Sequence, residues 1–223
     1  IIMIEHLEQK IRELKPFYEQ DSIKGIFSWK EFERLINLRP FISSNNFHVL
    51  NGENYTWENK CWLTNVNTFP TELLLCLLPQ YMGYIQDCSK ASENINKICS
   101  QLDKFNNSAT DAHIFYNLSD TLDQGFGIHS DGSHNLIVQV EGKTRMEIWD
   151  IKDIDAKNNI KCLDILPVID VIMKPGDCVF IPKRYWHKAS SKMKRLSVSF
   201  PSNPEMNVSN AQDRVWINID KLL

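Results

Sequence analysis

Pro175-Gly176-Asp177-Cys178-Val179-Phe180-Ile181-Pro182-Lys183-Arg184-Tyr185-Trp186-His187 reads as a tight turn, an apolar strand, a proline stop and a second strand carrying a histidine. Upstream, Gly125-Phe126-Gly127-Ile128-His129-Ser130-Asp131 has the same texture. Its His-x-Asp sets an imidazole and a carboxylate two residues apart, and such residues point the same way in an extended strand. If His187 arrives from a separate strand, two imidazoles and one carboxylate can hold a divalent metal and leave its opposite side open. A His-x-Asp alone is weak, and a solvated turn plus an ordinary strand-end histidine is the competing reading. The glycine and proline punctuation around both motifs favours a metal site. Its two halves are expected to face each other across a small barrel.

Working outward, the chain changes texture near Asp111. Candidate strands after it are 112–118, 127–131, 135–140, 143–149, 168–174, 177–181, 186–190 and 195–200. Four of the eight glycines lie between 125 and 142, where such strands must turn sharply. Eight short strands without intervening long helices imply a mainly β chain, an antiparallel barrel or jelly roll. Before Asp111 the pattern is helical. Ile4, Leu7, Ile11 and Leu14 fall at helical spacing from Met3 to Lys15, ending at Pro16. Ser28-x-x-Glu31 forms a capping box before Phe32, Leu35 and Ile36. Residues 70–78 fit a short buried helix capped by Thr68 and stopped by Pro79, and Ser92 caps another bearing Ile95, Ile98, Cys99, Leu102 and Phe105. One or two edge strands are expected within 47–66, and 150–166 reads as one long connection. The expected division is 1–110, mostly helical and packed on the barrel, and 111–223, the barrel with the metal site, in one structural domain.

Composition narrows the function. At 223 residues, with 43% hydrophobic and 24% charged residues, the chain can bury a sizeable core. A formal charge of −3 carries no nucleic-acid signature, and the longest apolar run, Leu73 to Leu78, is too short to cross a membrane. Six cysteines show no C-x-x-C and read as small buried hydrophobes. With no secretory-type opening, the expected localisation is cytoplasmic. The start Ile1-Ile2-Met3 fits either a fragment or a natural start at Met3.

Two stretches carry a family resemblance. Pro175 to Pro182 followed by His187 resembles the second cupin motif. Gly127-Ile128-His129-Ser130-Asp131 followed by Asn135-Leu136-Ile137-Val138-Gln139-Val140-Glu141-Gly142 resembles the metal-binding strands of JmjC and cupin-like hydroxylases. The likeness covers about Asp111 to Pro201. It implies a double-stranded β-helix with the N-terminal helices on one face, with Fe(II) held by His129, Asp131 and His187, 2-oxoglutarate as cosubstrate and dioxygen as co-reactant. Asn135 matches an asparagine that contacts the cosubstrate in several relatives; a satisfied strand-start amide is the alternative. Asn117, on the strand with His113, is a further cosubstrate candidate, with Tyr116 facing away.

The chain also departs from the family. Relatives carry Lys or Arg two residues after the hairpin glycine to grip the far carboxylate of 2-oxoglutarate, where this chain has Thr144. They often carry Ser or Thr three residues before the metal histidine, where it has Phe126. Lys143 and Arg145 have the charge, but one residue of offset turns a strand side chain to the other face. Arg195 is the expected replacement, with Ser197 beside it on one strand face. This Arg-x-Ser pairing is similar to that holding 2-oxoglutarate in other branches of the superfamily, and a guanidinium fork suits a carboxylate. His134 reads as an exposed loop histidine, and Trp149, Tyr185 and Trp186 as barrel packing. The expected function is an Fe(II)- and 2-oxoglutarate-dependent dioxygenase that hydroxylates a protein side chain or a small molecule. Two alternatives stay open: a cupin-type metalloenzyme without 2-oxoglutarate, such as a small-molecule dioxygenase or isomerase, and a non-catalytic ligand-binding cupin.

Overall fold

The computed structural model describes residues 4–38, 47–50, 60–61, 71–120, 124–150 and 165–203. Its first-half strands are β1 (Phe17–Glu19), β2 (Phe47–Leu50), β3 (Lys60–Cys61), β4 (Met82–Ile85) and β5 (Ala109–Thr110). There follow β6 (His113–Asn117), β7 (Gln124–Ser130), β8 (His134–Glu141), β9 (Thr144–Trp149), β10 (Ile169–Met173), β11 (Cys178–Ile181), β12 (Trp186–Ser191) and β13 (Arg195–Asn203). One sheet runs β1-β11-β8-β13-β6-β4-β2-β3, with β5 also on β13; the other runs β10-β9-β12-β7. All pairings are antiparallel. The two sheets face each other through Met146, Ile148 and Met173 on one side and Ile137, Val179 and Ile181 on the other. This is a double-stranded β-helix, the cupin or jelly-roll barrel.

Alternation along the strands sorts the side chains. On β13, Arg195, Ser197 and Ser199 point into the barrel, while Leu196, Val198 and Phe200 join the helix-side core. On β8, Asn135, Ile137 and Gln139 point inward and Leu136 and Val138 outward. The outward set is covered by helices: α1 (Glu8–Arg12), preceded by a short 3-10 turn, α2 (Trp29–Asn37) and α4 (Glu93–Asn106). Ile4, Leu7, Ile11, Phe32, Ile95, Ile98 and Leu102 bury their side chains there. The caps form as read. Ser28 Oγ accepts from the Glu31 N–H at 3.3 Å and donates to its carboxylate at 2.8 Å, and Ser92 Oγ accepts from the Ile95 N–H at 3.1 Å.

Several local expectations are corrected. Leu14 is not part of the buried stripe; it lies beyond α1 with φ 52° and is 46% exposed. The third helix, α3 (Thr71–Gln80), runs through Pro79 rather than stopping before it, and buries Leu74 while leaving Leu75 and Cys76 exposed. Pro79 leaves the helix one bond short, to the Leu75 carbonyl four residues back, at its next-to-last residue. Cys88, Cys99 and Cys178 are buried as expected. Met3, Thr68, Cys162 and most of 150–166 lie outside the described residues. Strands β1 and β4 were not expected, and they bring segments from before residue 110 into the large sheet beside β11 and β6.

The Pro-Gly-Asp turn ties the N-terminal segment to the barrel. Asp177 is 2% exposed and accepts from Tyr18 Oη at 2.7 Å, the Asp21 N–H at 2.9 Å and the Lys174 N–H at 2.8 Å. Burial works against its charge, yet these donors hold its pKa below the usual carboxylate value. Asp177→Ala should lower the unfolding free energy by roughly 2–3 kcal/mol at neutral pH, because three donors lose a charged acceptor. The folded pKa is depressed, so this stabilisation is complete above the unfolded value of about 4 and fades as pH falls through the folded one. Denaturant titrations of both proteins at neutral and acidic pH should therefore converge at low pH; equal stability at pH 7 would show that the turn is held by something else.

Candidate metal centre

His129 lies near the end of β7, and Asp131 is the first residue after that strand. His187 is the second residue of β12, directly opposite His129 in the antiparallel ladder. The two histidines are therefore cross-strand neighbours in one sheet, not partners facing each other across the barrel as expected. Their ring centroids are 4.2 Å apart. Between Phe126 and His129, β7 holds one residue more than β12 opposite it, which bulges the strand beside the site. Gly125 permits the close approach: a Cβ there would stand 1.8 Å from the Ala189 carbonyl oxygen.

The hydrogen bonds fix how the imidazoles are presented. His129 Nδ1 lies 2.8 Å from the Gly127 carbonyl oxygen and His187 Nδ1 3.0 Å from that of Tyr185. A carbonyl only accepts, so each Nδ1 carries the proton and each Nε2 offers a lone pair. Those Nε2 atoms lie 3.8 Å and 3.6 Å from the two oxygens of Asp131. The three ligand atoms fall within 4.8 Å of one another, the spacing that one shared ion needs. Burial lowers the pKa of His187 to about 4, aided by His129 and opposed by Asp131, so it stays neutral near pH 7. Burial disfavours the Asp131 charge, but His129, His187 and the Asn135 amide hold its pKa below the usual value. Asn135 Nδ2 donates to Asp131 Oδ2 at 2.9 Å, while its own Oδ1 accepts from Ser199 Oγ at 2.7 Å. The neutral His187 imidazole and the Asp131 carboxylate are thus in the forms that bind a divalent cation, and the Gly127 carbonyl turns His129 so that Nε2 faces them.

The same cavity holds a buried cation with no carboxylate partner among the described residues. Arg195 is 3% exposed; its Nη1 donates to Thr144 Oγ1 at 2.9 Å and its Nη2 to Met82 Sδ at 3.1 Å, while Nε has no partner. Among the described residues no carboxylate pairs with it, and burial alone lowers its pKa to about 10. Ser197, Thr144, Gln139 and Asn135 line the cavity with it, and so do His129, Asp131 and His187. The space is about 140 Å³, roughly ten times what one water needs. A small dicarboxylate has about that many heavy atoms. Lys143 and Arg145 are outside: both are exposed, and Arg145 pairs with Asp170 at 2.8 Å and Glu147 at 3.2 Å.

The JmjC domain family model matches residues 88–210, more than half of the chain. The chain belongs to the JmjC domain family. Similar curated proteins include the bifunctional lysine-specific demethylase and histidyl-hydroxylase NO66 of Drosophila persimilis, 24% identical over 127 residues. That match covers 54% of this chain and 18% of the relative. The lysine-specific demethylase JMJ30 of Arabidopsis thaliana is 27% identical over 95 residues, covering 33% of this chain and 22% of that protein. Among solved structures, the Escherichia coli ribosomal oxygenase YcfD in complex with cobalt and 2-oxoglutarate superposes with a TM-score of 0.63 at 15% identity. It covers 99% of this chain and 54% of YcfD, a likeness of fold. This JmjC domain thus spans under a fifth of the NO66 relative and about half of YcfD.

Other candidates fall elsewhere in the JmjC domain. Asn117 does not reach the cavity: its Nδ2 donates to the Met193 carbonyl at 3.2 Å and its Oδ1 accepts from the Ser119 N–H at 2.9 Å, which secures the turn before β13. His134 is 8% exposed, not a loop residue, and its Nδ1 accepts from the Lys183 N–H at 3.1 Å. Tyr116 faces away as expected, and Trp149 packs with Trp186. Sequence reasoning missed Tyr84, Phe115, Met146 and Ser199 on the cavity wall and gave His113 little weight. His113-x-Phe115 against Ile114-x-Tyr116 was the available signal, since alternation sends the first pair inward.

Asn135 holds Asp131 without being one of the three converging ligands, which sets up a direct test. Asn135→Ala should weaken Mn(II) binding by roughly 10- to 100-fold while the protein stays folded, the usual effect of losing a group that orients a ligand. Calorimetric titration of parent and variant with Mn(II) measures it. Equal affinities would show that Asp131 is oriented by other groups.

Proposed function

We propose that this JmjC domain is the catalytic part of an Fe(II)- and 2-oxoglutarate-dependent oxygenase that hydroxylates a protein side chain or a small molecule. One observation carries the reading: a convergent His-Asp-His set shares a cavity with a buried guanidinium that has no carboxylate partner among the described residues. An isolated buried charge is strongly disfavoured, so a ligand bringing a carboxylate to Arg195 removes a cost that the free protein carries. The chemistry of the donors fits Fe(II), for which two imidazoles and one carboxylate are a recurrent ligand set. YcfD, whose fold this chain shares, is described in complex with cobalt and 2-oxoglutarate. The demethylase and hydroxylase activities named for the curated relatives favour a protein side chain as substrate.

In this reading His129 Nε2, Asp131 and His187 Nε2 would hold Fe(II), which would activate dioxygen, the oxidant, with 2-oxoglutarate supplying two of the four electrons and the substrate C–H the other two. In the balanced reaction, dioxygen delivers one oxygen atom to the substrate C–H and the other to succinate as carbon dioxide leaves. The chain's own residues bind and orient. Arg195 pairs with the far carboxylate of 2-oxoglutarate, and the Thr144 and Ser197 hydroxyls add hydrogen bonds there. Asn135 keeps Asp131 aimed at the metal. Ile137, Met146, Ala189 and Phe115 wall the cavity with apolar surface and limit water. No helix among the described residues is long and apolar enough to cross a membrane; a cytoplasmic location belongs to the proposal.

Fe(II)-loaded protein should convert 2-oxoglutarate to succinate at a rate above the metal-free and Asp131→Ala controls. A metal-loaded protein that leaves 2-oxoglutarate untouched supports the cupin enzyme that does not use it, and a protein that retains no metal supports the ligand-binding alternative. A second measurement concerns the anchor. Arg195→Ala should raise the KM for 2-oxoglutarate by roughly 10- to 100-fold, the worth of a charge-assisted pair, without changing metal affinity. Arg195→Lys should recover part of that loss, because a point charge replaces a fork. An unchanged KM in Arg195→Ala would remove Arg195 from the site.

A further inference from the structure

Strands β8 and β13 lose their register at the Arg195 end of the cavity. Leu196 opposes Glu141, but the next residue, Ser197, opposes Gln139, so Val140 has no opposite number. A bulge of this kind leaves backbone groups without ladder partners. The Gln139 side chain fills the gap: its Nε2 donates to the Glu141 carbonyl at 2.7 Å and to the Leu196 carbonyl at 3.5 Å. Its backbone is fixed as well. The Gln139 N–H donates to the Asp177 carbonyl and its own carbonyl accepts from the Gly176 N–H, both at 2.9 Å. One residue therefore joins the Pro-Gly-Asp turn, the bulge and the strand that carries Arg195.

The remaining atom of that amide is Oε1. It is buried in a residue that lines the cavity and has no hydrogen-bond partner, as is Arg195 Nε. Turning the amide over would not help, since it would set Oε1 against two carbonyl oxygens. A buried acceptor of this kind needs a donor, and a carboxylate ligand brings none. Oε1 is closed off from the cavity's open space, so the amide acts on a carboxylate ligand through Nε2 and the bulge that it holds.

We propose that Gln139 is the positioning residue for the far carboxylate of the cosubstrate: its Nε2 holds the bulge from which β13 presents the Arg195 guanidinium to that carboxylate. The inference rests on the proposed use of 2-oxoglutarate. It concerns only the end of the cavity away from the metal, so a 2-oxo acid without a far carboxylate is indifferent to it.

Binding of 2-oxoglutarate and of pyruvate to the Mn(II)-loaded protein, measured by calorimetry without turnover, separates the possibilities. Pyruvate keeps the 2-oxo acid group and lacks the far carboxylate. Gln139→Met removes both the donor and the acceptor with little change of volume. Gln139→Glu removes the N–H groups and sets a negative charge beside the ligand's own. Each variant should lose about tenfold or more in 2-oxoglutarate affinity, on the scale of hydrogen bonds to a charged group, with pyruvate and Mn(II) affinities unchanged. In an Arg195→Ala background the Gln139 substitutions should have no further effect, since the two act on the same carboxylate. Variants that bind 2-oxoglutarate like the parent overturn the proposal, and so does a parallel loss of pyruvate binding, which marks a merely structural residue. A parent protein that binds pyruvate as tightly as 2-oxoglutarate sinks the reading of Arg195 first, and the role of Gln139 with it.

Discussion

The antiparallel register of β7 and β12 sets His129 directly opposite His187, and the site depends on that pairing. Two imidazoles on adjacent strands come within bonding reach of one ion only if they share a face and a ladder rung. A slip of one residue would send one ring to the outside of the barrel. The bulge in β7 and the side-chain-free backbone at Gly125 hold the register where it is. Each ring is then turned by the carbonyl two residues before it, from Gly127 and from Tyr185. Asp131 needs no strand of its own; Asn135, braced by Ser199, restrains its carboxylate from β8 in the other sheet. The centre thus draws on both sheets and ties them together.

The far end of the cavity is governed by charge rather than by register. The hydroxyl of Thr144, on β9, accepts from Arg195, whose guanidinium enters from β13. The cavity's positive charge thus comes from β13, with a neutral hydroxyl on β9 beside it. Its environment is poor for a cation: one hydroxyl, one thioether and no carboxylate among the described residues, with a pKa lowered to about 10 by burial. A fold keeps such a group only when something compensates for its desolvation. Arg145 shows the contrast. One residue along β9 it reaches solvent and two acidic partners, Asp170 and Glu147.

Much of this was legible in the sequence, for physical reasons that also mark where legibility stops. The eight strands after residue 111 follow from two-residue alternation and turn residues, and the Ser28 and Ser92 caps from short-range hydrogen-bonding chemistry. Arg195 and Ser197 were readable as an inward pair because alternation alone decides facing. Register was not readable. Nothing local says that His187 sits beside His129 instead of across from it. Strand β4, Met82–Ile85, is buried throughout and shows no alternation, so Tyr84 went unseen on the cavity wall. Helix α3 misled in the opposite way, since its uniformly apolar run has no polar stripe to show that Leu75 and Cys76 face outward. Asn117 sits at the inward phase of its strand, yet local turn hydrogen bonds claim its amide.

The central claim is that one cavity joins a metal held by His129, Asp131 and His187 to a carboxylate held by Arg195. A crystal structure of the protein with Mn(II) and 2-oxoglutarate tests both halves together. The account predicts one ion about 2.0–2.2 Å from His129 Nε2, Asp131 and His187 Nε2, chelated by the 2-oxo acid end, with the far carboxylate on the Arg195 guanidinium. An ion bound elsewhere, or a cosubstrate whose far carboxylate meets a different cation, would contradict it.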